Sequence, residues 1–286
     1  MQPLIDADVL VYELASCGEY EEQDEETGEP IKHIRDFEFV RELTEERIRG
    51  ICLDVEATSP PILFFTGSGY RLSLLNRDRV ANGQEPIQLS PSIRMDVATV
   101  KPYKGTRVEQ KPYHFNNLTA YLFANYDHRV SNGLEADDLL AIEQSGRNDT
   151  IICTRDKDLR MVPGWHFGWE CGAQPSFGPE LVDARGWLRI DDKGKVRGVG
   201  LKFFFYQMLV GDTVDNIPGC PKIGEKTAFK LLSEVNNKKE CEQIIKEQYQ
   251  KVYGDNYMER LEEQSQLLWM AREVDDTGYP VGYQWK

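Results

Sequence analysis

Eight carboxylates fall in four tight clusters along the chain, and each cluster follows an apolar strand-like run or opens a helix-like one. They are Asp6; Glu135, Asp137 and Asp138; Asp156 and Asp158; and Asp212 and Asp215. Like charges repel, so a fold that gathers them needs cations to hold them together. An all-oxygen set with no neighbouring Cys or His suits Mg²⁺ or Mn²⁺ rather than zinc. Paired divalent ions roughly 3.5–4 Å apart are a general device for cleaving phosphodiesters.

The runs that carry the acids define the fold class. Short apolar stretches recur at 3–12 (PLIDADVLVY), 60–66 (PPILFFT) and 149–154 (DTIICT), with 165–170 (WHFGWE) as a weaker one. Helical periodicity lies between them, over 35–57, 114–126 and 135–146. Strands alternating with helices predict an α/β fold with a largely parallel central sheet flanked by helices. Ligands in such sheets gather beyond the carboxyl ends of the strands, where Asp156 follows IICTR directly. From about 200 the texture changes to helix, Gly/Pro-rich turn, helix, then polar helices over 238–268 and a tail, DDTGYPVGYQWK, that packs back on the body. The expected division is 1–199, an α/β body, and 200–286, a helical unit fused tightly to it.

Each cluster has its own logic. Glu135 and Asp138 are three apart and share a helix face, and a helix N-terminus favours carboxylates. The same residues also read as a plain acidic helix start. Asp156 and Asp158 are two apart after a strand, so an extended chain would point both to one side. Asp212 and Asp215 are one helical turn apart before a forced turn at Gly219. Next comes GCPKIGEKTAFKLL, which nearly spells a phosphate-binding loop. Glu225 between Gly224 and Lys226, and a helix rather than a strand before it, exclude that reading. A helical hairpin fits instead, with Gly219 and Gly224 admitting a phosphate to backbone N–H groups and Lys222, Lys226 and Lys230 adding charge. Asp6 interrupts an apolar strand, which is costly unless the acid is paired or bound to metal, and Asp8 has the same parity.

The net charge of −14 argues against nucleic acid as a partner, but its distribution matters more. Residues 19–29 hold seven acids and no base and read as a solvated loop. Residues 94–111 carry five bases (Arg94, Lys101, Lys104, Arg107, Lys111) against two acids, and 222–230 three lysines against one glutamate. Either island could grip phosphates, or be an ordinary solvated face. The six cysteines form no C-x-x-C pair, and no apolar run reaches the ~18 residues of a membrane span. With no basic leader at the start, a reducing cytoplasm and no membrane association are expected. The four histidines are scattered and belong to no Ser or Cys triad.

With LIDAD (4–8), YKGTR (103–107), LEADD (134–138), TRDKD (154–158) and GDTVDNIPGCPKIGEKTA (211–228), the chain resembles the 5′-nuclease superfamily, which includes flap endonucleases and the 5′ nuclease domains of bacterial DNA polymerases. The bacteriophage 5′→3′ exonuclease branch is the most similar. The resemblance implies a nuclease body with a helical arch over about 76–125 and a helix–hairpin–helix unit that grips duplex DNA. It implies that the eight acids are ligands of two Mg²⁺ or Mn²⁺ ions or support those ligands. Tyr103, Lys104 and Arg107 would lie at the base of the arch, Lys104 and Arg107 on the scissile phosphate. Relatives often hold a monovalent cation, such as K⁺, at the hairpin. The implied activity is 5′→3′ exonuclease or 5′ flap cleavage, acting by structure rather than sequence on duplex ends, flaps and nicks, and on RNA–DNA hybrids, by a monomer. Competing readings are a metal-dependent ribonuclease of related fold, which would lack the hairpin, and a non-catalytic hairpin binder, which would have no use for the acids. Gly67 stands where many relatives carry an acid, with Asp8 or water as the expected substitute, and 76–90 has no counterpart in the resemblance.

Overall fold

The first apolar run divides at its aspartate. In the computed structural model, which describes residues 1–105 and 110–285, β1 (Gln2–Asp6) ends there and α1 (Ala7–Ser16) begins at once. The strand expected over 3–12 is therefore half helix. The Asp6 carboxylate accepts from the N–H groups of Asp8 (3.1 Å) and Val9 (3.2 Å), capping α1, and such a cap ends a strand as firmly as it starts a helix. Asp8 sits in the first helical turn, so strand parity says nothing about its direction.

The chain continues through β2 (Glu19–Gln23), β3 (Pro30–Ile34), α2 (Phe37–Asp54), β4 (Ile62–Phe65), α3 (Gly69–Ala81), α4 (Ile93–Val97), α5 (Phe115–Asn125), β5 (His128–Val130), α6 (Ala136–Gln144), β6 (Thr150–Cys153), β7 (Gly164–Gly168) and β8 (Phe177–Val182). A short hairpin, β9 (Trp187–Ile190) and β10 (Val196–Val199), leads into α7 (Gly200–Val210), α8 (Glu225–Leu232), α9 (Lys238–Tyr253) and α10 (Tyr257–Leu268). The main sheet has the order β5-β4-β1-β6-β7-β8, parallel except for β8 at its edge. Strands buried on both faces read as continuous apolar runs, as in ILFF at Ile62–Phe65.

Alternation along the strands feeds two cores. Ile5, Leu63, Phe65 and Ile151 pack with α1, α2 and α5. Leu4, Phe64 and Ile152 face the other way and join Leu140 of α6, Phe204 and Leu209 of α7, and Leu268 of α10. Nearly every residue of α7 is buried, and the tail closes over it, with Tyr283 at 4.9 Å and Trp285 at 6.4 Å from the Phe204 ring. Truncating Phe204 to Ala would cost about 3–5 kcal/mol. Among the described residues no helix is long and apolar enough to cross a membrane.

Two stretches differ from expectation, and a third carried none. The acidic segment 19–29 is the first strand and turn of the β2–β3 hairpin, not a loop, and its acids point mostly to water. Between 82 and 114, where the resemblance implies a helical arch, the described residues hold the five-residue α4 and otherwise irregular chain. The 76–90 stretch is the end of α3 and a strap pinned by side chains: Asn76 bonds both backbone groups of Ile87 (2.7 and 2.8 Å), and Asn132 holds Ser90 and Gln88.

Candidate active site

Adjacent strands β1 and β6 deliver Asp6 and the 154–158 turn to the same carboxyl edge. Thr154 stitches them together. Its Oγ1 donates to Asp6 (2.7 Å) and accepts from the Asp156 N–H (2.9 Å), and the Asp156 carboxylate accepts from the Asp158 N–H (2.8 Å). The start of α6 is tied to the same edge by Ala136 N–H on the Thr66 hydroxyl (2.9 Å), just past β4. Glu135 is the N-cap of that helix, and Asp137 and Asp138 lie in its first turn. Asp212 and Asp215 arrive from the other side, on the loop joining α7 to α8. They belong to a tight turn rather than a helix: Asp212 pairs backbone with Ile217, and its side chain accepts from Val214 (2.8 Å) and Asp215 (3.4 Å). Tyr103 spans the gap, its hydroxyl 2.8 Å from Glu135 and 3.2 Å from Asp215.

The acids feel one another. Burial first, then the Asp8 carboxylate, push Asp6 up to about 7. Burial and then Asp156 push Asp158 up to about 8. Asp137 stands well above its ordinary value through burial, Asp156 and Asp6, and Asp156 is raised by burial, with Asp215 and Asp212 adding to it. Seven of the eight acids are linked in this way or through Tyr103. Basic side chains compensate part of the charge. Lys104 Nζ donates to Glu135 (2.8 Å), and Lys157 Nζ donates to Asp212 (2.7 Å) and lies 3.5 Å from Asp158. Burial alone would lower the Lys104 ammonium, but Glu135 and Asp215 outweigh it and hold it above its ordinary value. At Asp212 burial pushes upward, and the Lys157 contact with two backbone N–H groups reverses it. Among the described residues no three Asp, Glu, His or Cys side chains stand close enough to hold one ion as they are.

Asp138 is the eighth acid, and its carboxylate is taken up differently. Both oxygens receive the Arg94 guanidinium (2.7 and 2.8 Å), and one also accepts from Ala271 N–H (3.1 Å). Arg94 itself is buried, so the basic island of 94–111 loses one of its phosphate-gripping candidates. Lys104 remains, with backbone N–H on Asp215 O (3.0 Å) and a left-handed φ of 53°. Arg107 lies outside the described residues. At Gly67 a Cβ would meet the Ser131 carbonyl oxygen at 2.2 Å, so no side chain fits there without a backbone shift. Asp8 is bound instead to the Arg71 guanidinium and the Thr66 N–H (3.2 Å). Lys157, Thr154 and Gln207 (2.6 Å to Asp158) were not singled out by sequence reasoning, and Arg94 was read only as a base that could grip phosphate. Only Lys157, set between two aspartates, carried a local signal.

At the hairpin, Gly211 and Gly219 have positive φ, and a Cβ on either would strike the other's backbone nitrogen at 2.5 and 2.3 Å. Gly219 therefore closes the turn by backbone contact. Gly224 is open to solvent and caps α8, and Lys222, Lys226 and Lys230 are exposed around it. A groove of about 440 Å³ runs from Lys157 and Asp212 to Gly224, lined also by Lys195 and Arg197.

Comparison with known proteins fits this geometry. The family described as 5′-3′ exonuclease, C-terminal SAM fold, matches residues 201–278. DNA polymerase I of Bacillus subtilis (strain 168) is 28% identical over 187 residues, 62% of this chain and 20% of that protein. DNA polymerase I of Pseudomonas aeruginosa is 34% identical over 110 residues, 36% of this chain and 11% of that protein. The matched stretches thus span a fifth or less of these relatives. The crystal structure of the T5 D15 protein co-crystallized with metal ions superposes with a TM-score of 0.53 at 14% identity, covering 93% of this chain and 88% of that one, which shows a shared fold.

Proposed function

We propose that this chain, a member of the 5′-nuclease superfamily, is a divalent-metal-dependent 5′→3′ exonuclease and 5′ flap endonuclease acting on DNA. One observation carries the reading: Asp6, Glu135, Asp137, Asp156, Asp158, Asp212 and Asp215, from four separate places in the chain, meet at one edge of the sheet beside a lysine-bearing hairpin. The donor set fits hard divalent cations, because it is all oxygen and Asp6 and Asp158 are pushed up first by burial and then by neighbouring carboxylates, both of which a cation would offset. Those seven residues would hold two Mg²⁺ or Mn²⁺ ions, which when bound supply a reactive water at neutral pH and neutralise charge on the phosphate.

The chain's own residues do the rest. Lys104, released from Glu135 when the acids are otherwise neutralised, turns its ammonium to the scissile phosphate and stabilises charge there. Tyr103 keeps Glu135 and Asp215 in register across the pocket. Residues 200–286 act as the grip: the exposed Lys222, Lys226 and Lys230 bind phosphates around Gly224, where the groove that leads to Asp212 begins. Such contacts read backbone and duplex shape, so cutting follows structure rather than sequence.

The test is a substrate panel with Mg²⁺: a 5′ flap, a nicked duplex, a blunt duplex, an RNA–DNA hybrid and single-stranded RNA. The expected result is cleavage near 5′ ends of the DNA substrates, abolished by chelator and by Asp156→Ala. Preference for single-stranded RNA, or undiminished cutting in excess chelator, would overturn the reading.

A further inference from the structure

Arg94 has five N–H donors, and the structure uses all five. Nη1 reaches Asp138 (2.7 Å) and Glu135 (3.2 Å), Nη2 reaches Asp138 (2.8 Å) and the Trp269 carbonyl (3.0 Å), and Nε reaches the Leu267 carbonyl (3.1 Å). The residue is 3% exposed. A guanidinium is the only side chain with that donor count in a fixed fork. It joins three segments that are distant in sequence: the strap before Lys104, the start of α6, and the chain leaving α10.

Glu135 shows what the fork accomplishes. One of its oxygens receives both Arg94 and the Tyr103 hydroxyl (2.8 Å), while the other receives Lys104 (2.8 Å). With one oxygen pinned from behind, the other can only face Lys104 and the pocket. The Arg94 hydrogen bonds go to Asp138, Glu135, Leu267 and Trp269, and none goes to Lys104. From the far side, Ala271 N–H binds the same Asp138 carboxylate (3.1 Å), so the order of residues 267–271 reaches Glu135 through two linked bonds.

We infer that Arg94 is a positioning residue that locks Glu135 to the C-terminal segment, so that the docking of 267–271 sets the geometry of the pocket. The inference rests on the nuclease activity proposed above for its kinetic arm, but its structural arm does not. Misplacement of a catalytic constellation by about 1 Å costs roughly 100-fold in rate, which sets the scale.

The decisive variant is Arg94→Lys, which keeps the charge and loses the fork. On a 5′ flap with Mg²⁺, kcat should fall by about 100-fold while KM and duplex affinity stay within about threefold. Amide exchange should accelerate together at 135–140 and at 267–272. In Arg94→Ala, guanidinium ion should restore at least about a tenth of the lost kcat and methylammonium none, since a cavity of about 300 Å³ lined by Arg94, Asp138 and Trp269 gives it access. Ala271→Pro, remote from the pocket, removes the N–H on Asp138 and should lower kcat with KM unchanged, and it stands in if the Arg94 variants do not fold. Wild-type kcat in folded Arg94→Lys, or faster exchange at one segment alone, overturns the inference. A wild-type protein inactive on every substrate would sink the nuclease reading instead, and the exchange result would still decide the coupling.

Discussion

Two acid-rich regions of this molecule share a composition and have opposite environments. The β2–β3 hairpin carries seven acids within 19–29, almost all of them in water. There the carboxylates are held down or left to solvent: Thr27 and Glu26 N–H groups lower Asp24, and Lys32 with Tyr113 N–H lowers Glu19. At the carboxyl edge of the sheet the same chemical group is driven the other way, with Asp6 up to about 7 and Asp158 up to about 8. Burial and proximity, not the number of acids, make the second region a candidate for chemistry. The hairpin's acids stand mostly in water, whereas those of the pocket are buried beside one another and favour a positive partner.

The sharpest way to break that contrast is to remove acids from each region. Asp156→Ala should reduce Mg²⁺-dependent cleavage by roughly 10³-fold or more, several kcal/mol of lost stabilisation. Replacing Glu21, Glu22 and Glu25 together with Gln should change cleavage by less than about twofold and stability by about 0.5 kcal/mol or less, as expected of surface sites. Comparable losses in the two variants would show that acids act here by bulk charge. A smaller effect is expected at the countercharge. Lys104→Ala should lower turnover by roughly 10²-fold and leave duplex affinity nearly unchanged, because its work is done at the reacting phosphate. Intact single-turnover rates would remove Lys104 from that role.

Stability against pH sharpens the comparison further. Asp6 and Asp158 have folded values above the ordinary 3.8, so between about pH 4 and 8 the folded protein binds more protons than the unfolded one. Their contribution is present at low pH and lost as pH rises through about 7 and 8, on the order of a few kcal/mol in the absence of divalent ions. Melting temperature in chelator should therefore fall over that range, and millimolar Mg²⁺ should reverse the fall at pH 8. A flat profile in both buffers would mean that the acids are not crowded. A small effect is expected at the grip: Lys226→Ala should weaken duplex binding a few-fold and shallow its salt dependence by about 0.9 in log–log slope, with kcat unchanged.

Much of this was legible in the chain itself. The runs at 60–66 and 149–154 became β4 and β6, because strands buried on both faces read as near-continuous apolar runs, and the weaker run at 165–170 became the partly exposed β7. The helix–turn–helix from 200 was marked by Gly and Pro that only a turn tolerates. The end of β1 was missed because Asp6 serves both as the last strand residue and as a helix cap, and LIDADVLVY fits either period until the cap bond forms. Strands β8, β9 and β10 were missed because they are partly exposed and interrupted by charge, Gly or Pro, so they carry little periodicity.

By itself the sequence determined the layer architecture, the placing of acids at strand and helix ends, and the lysine hairpin, since each depends on neighbours within a few residues. Only the tertiary structure decided which charges face one another. It turned Arg94 from a surface base into the partner of Asp138 and Glu135, set Lys157 on Asp212, and closed position 67 to any side chain. Those outcomes depend on segments from 41 to 173 residues apart meeting in a medium of low dielectric, where a charge is defined by its nearest counterpart and no local pattern can name it.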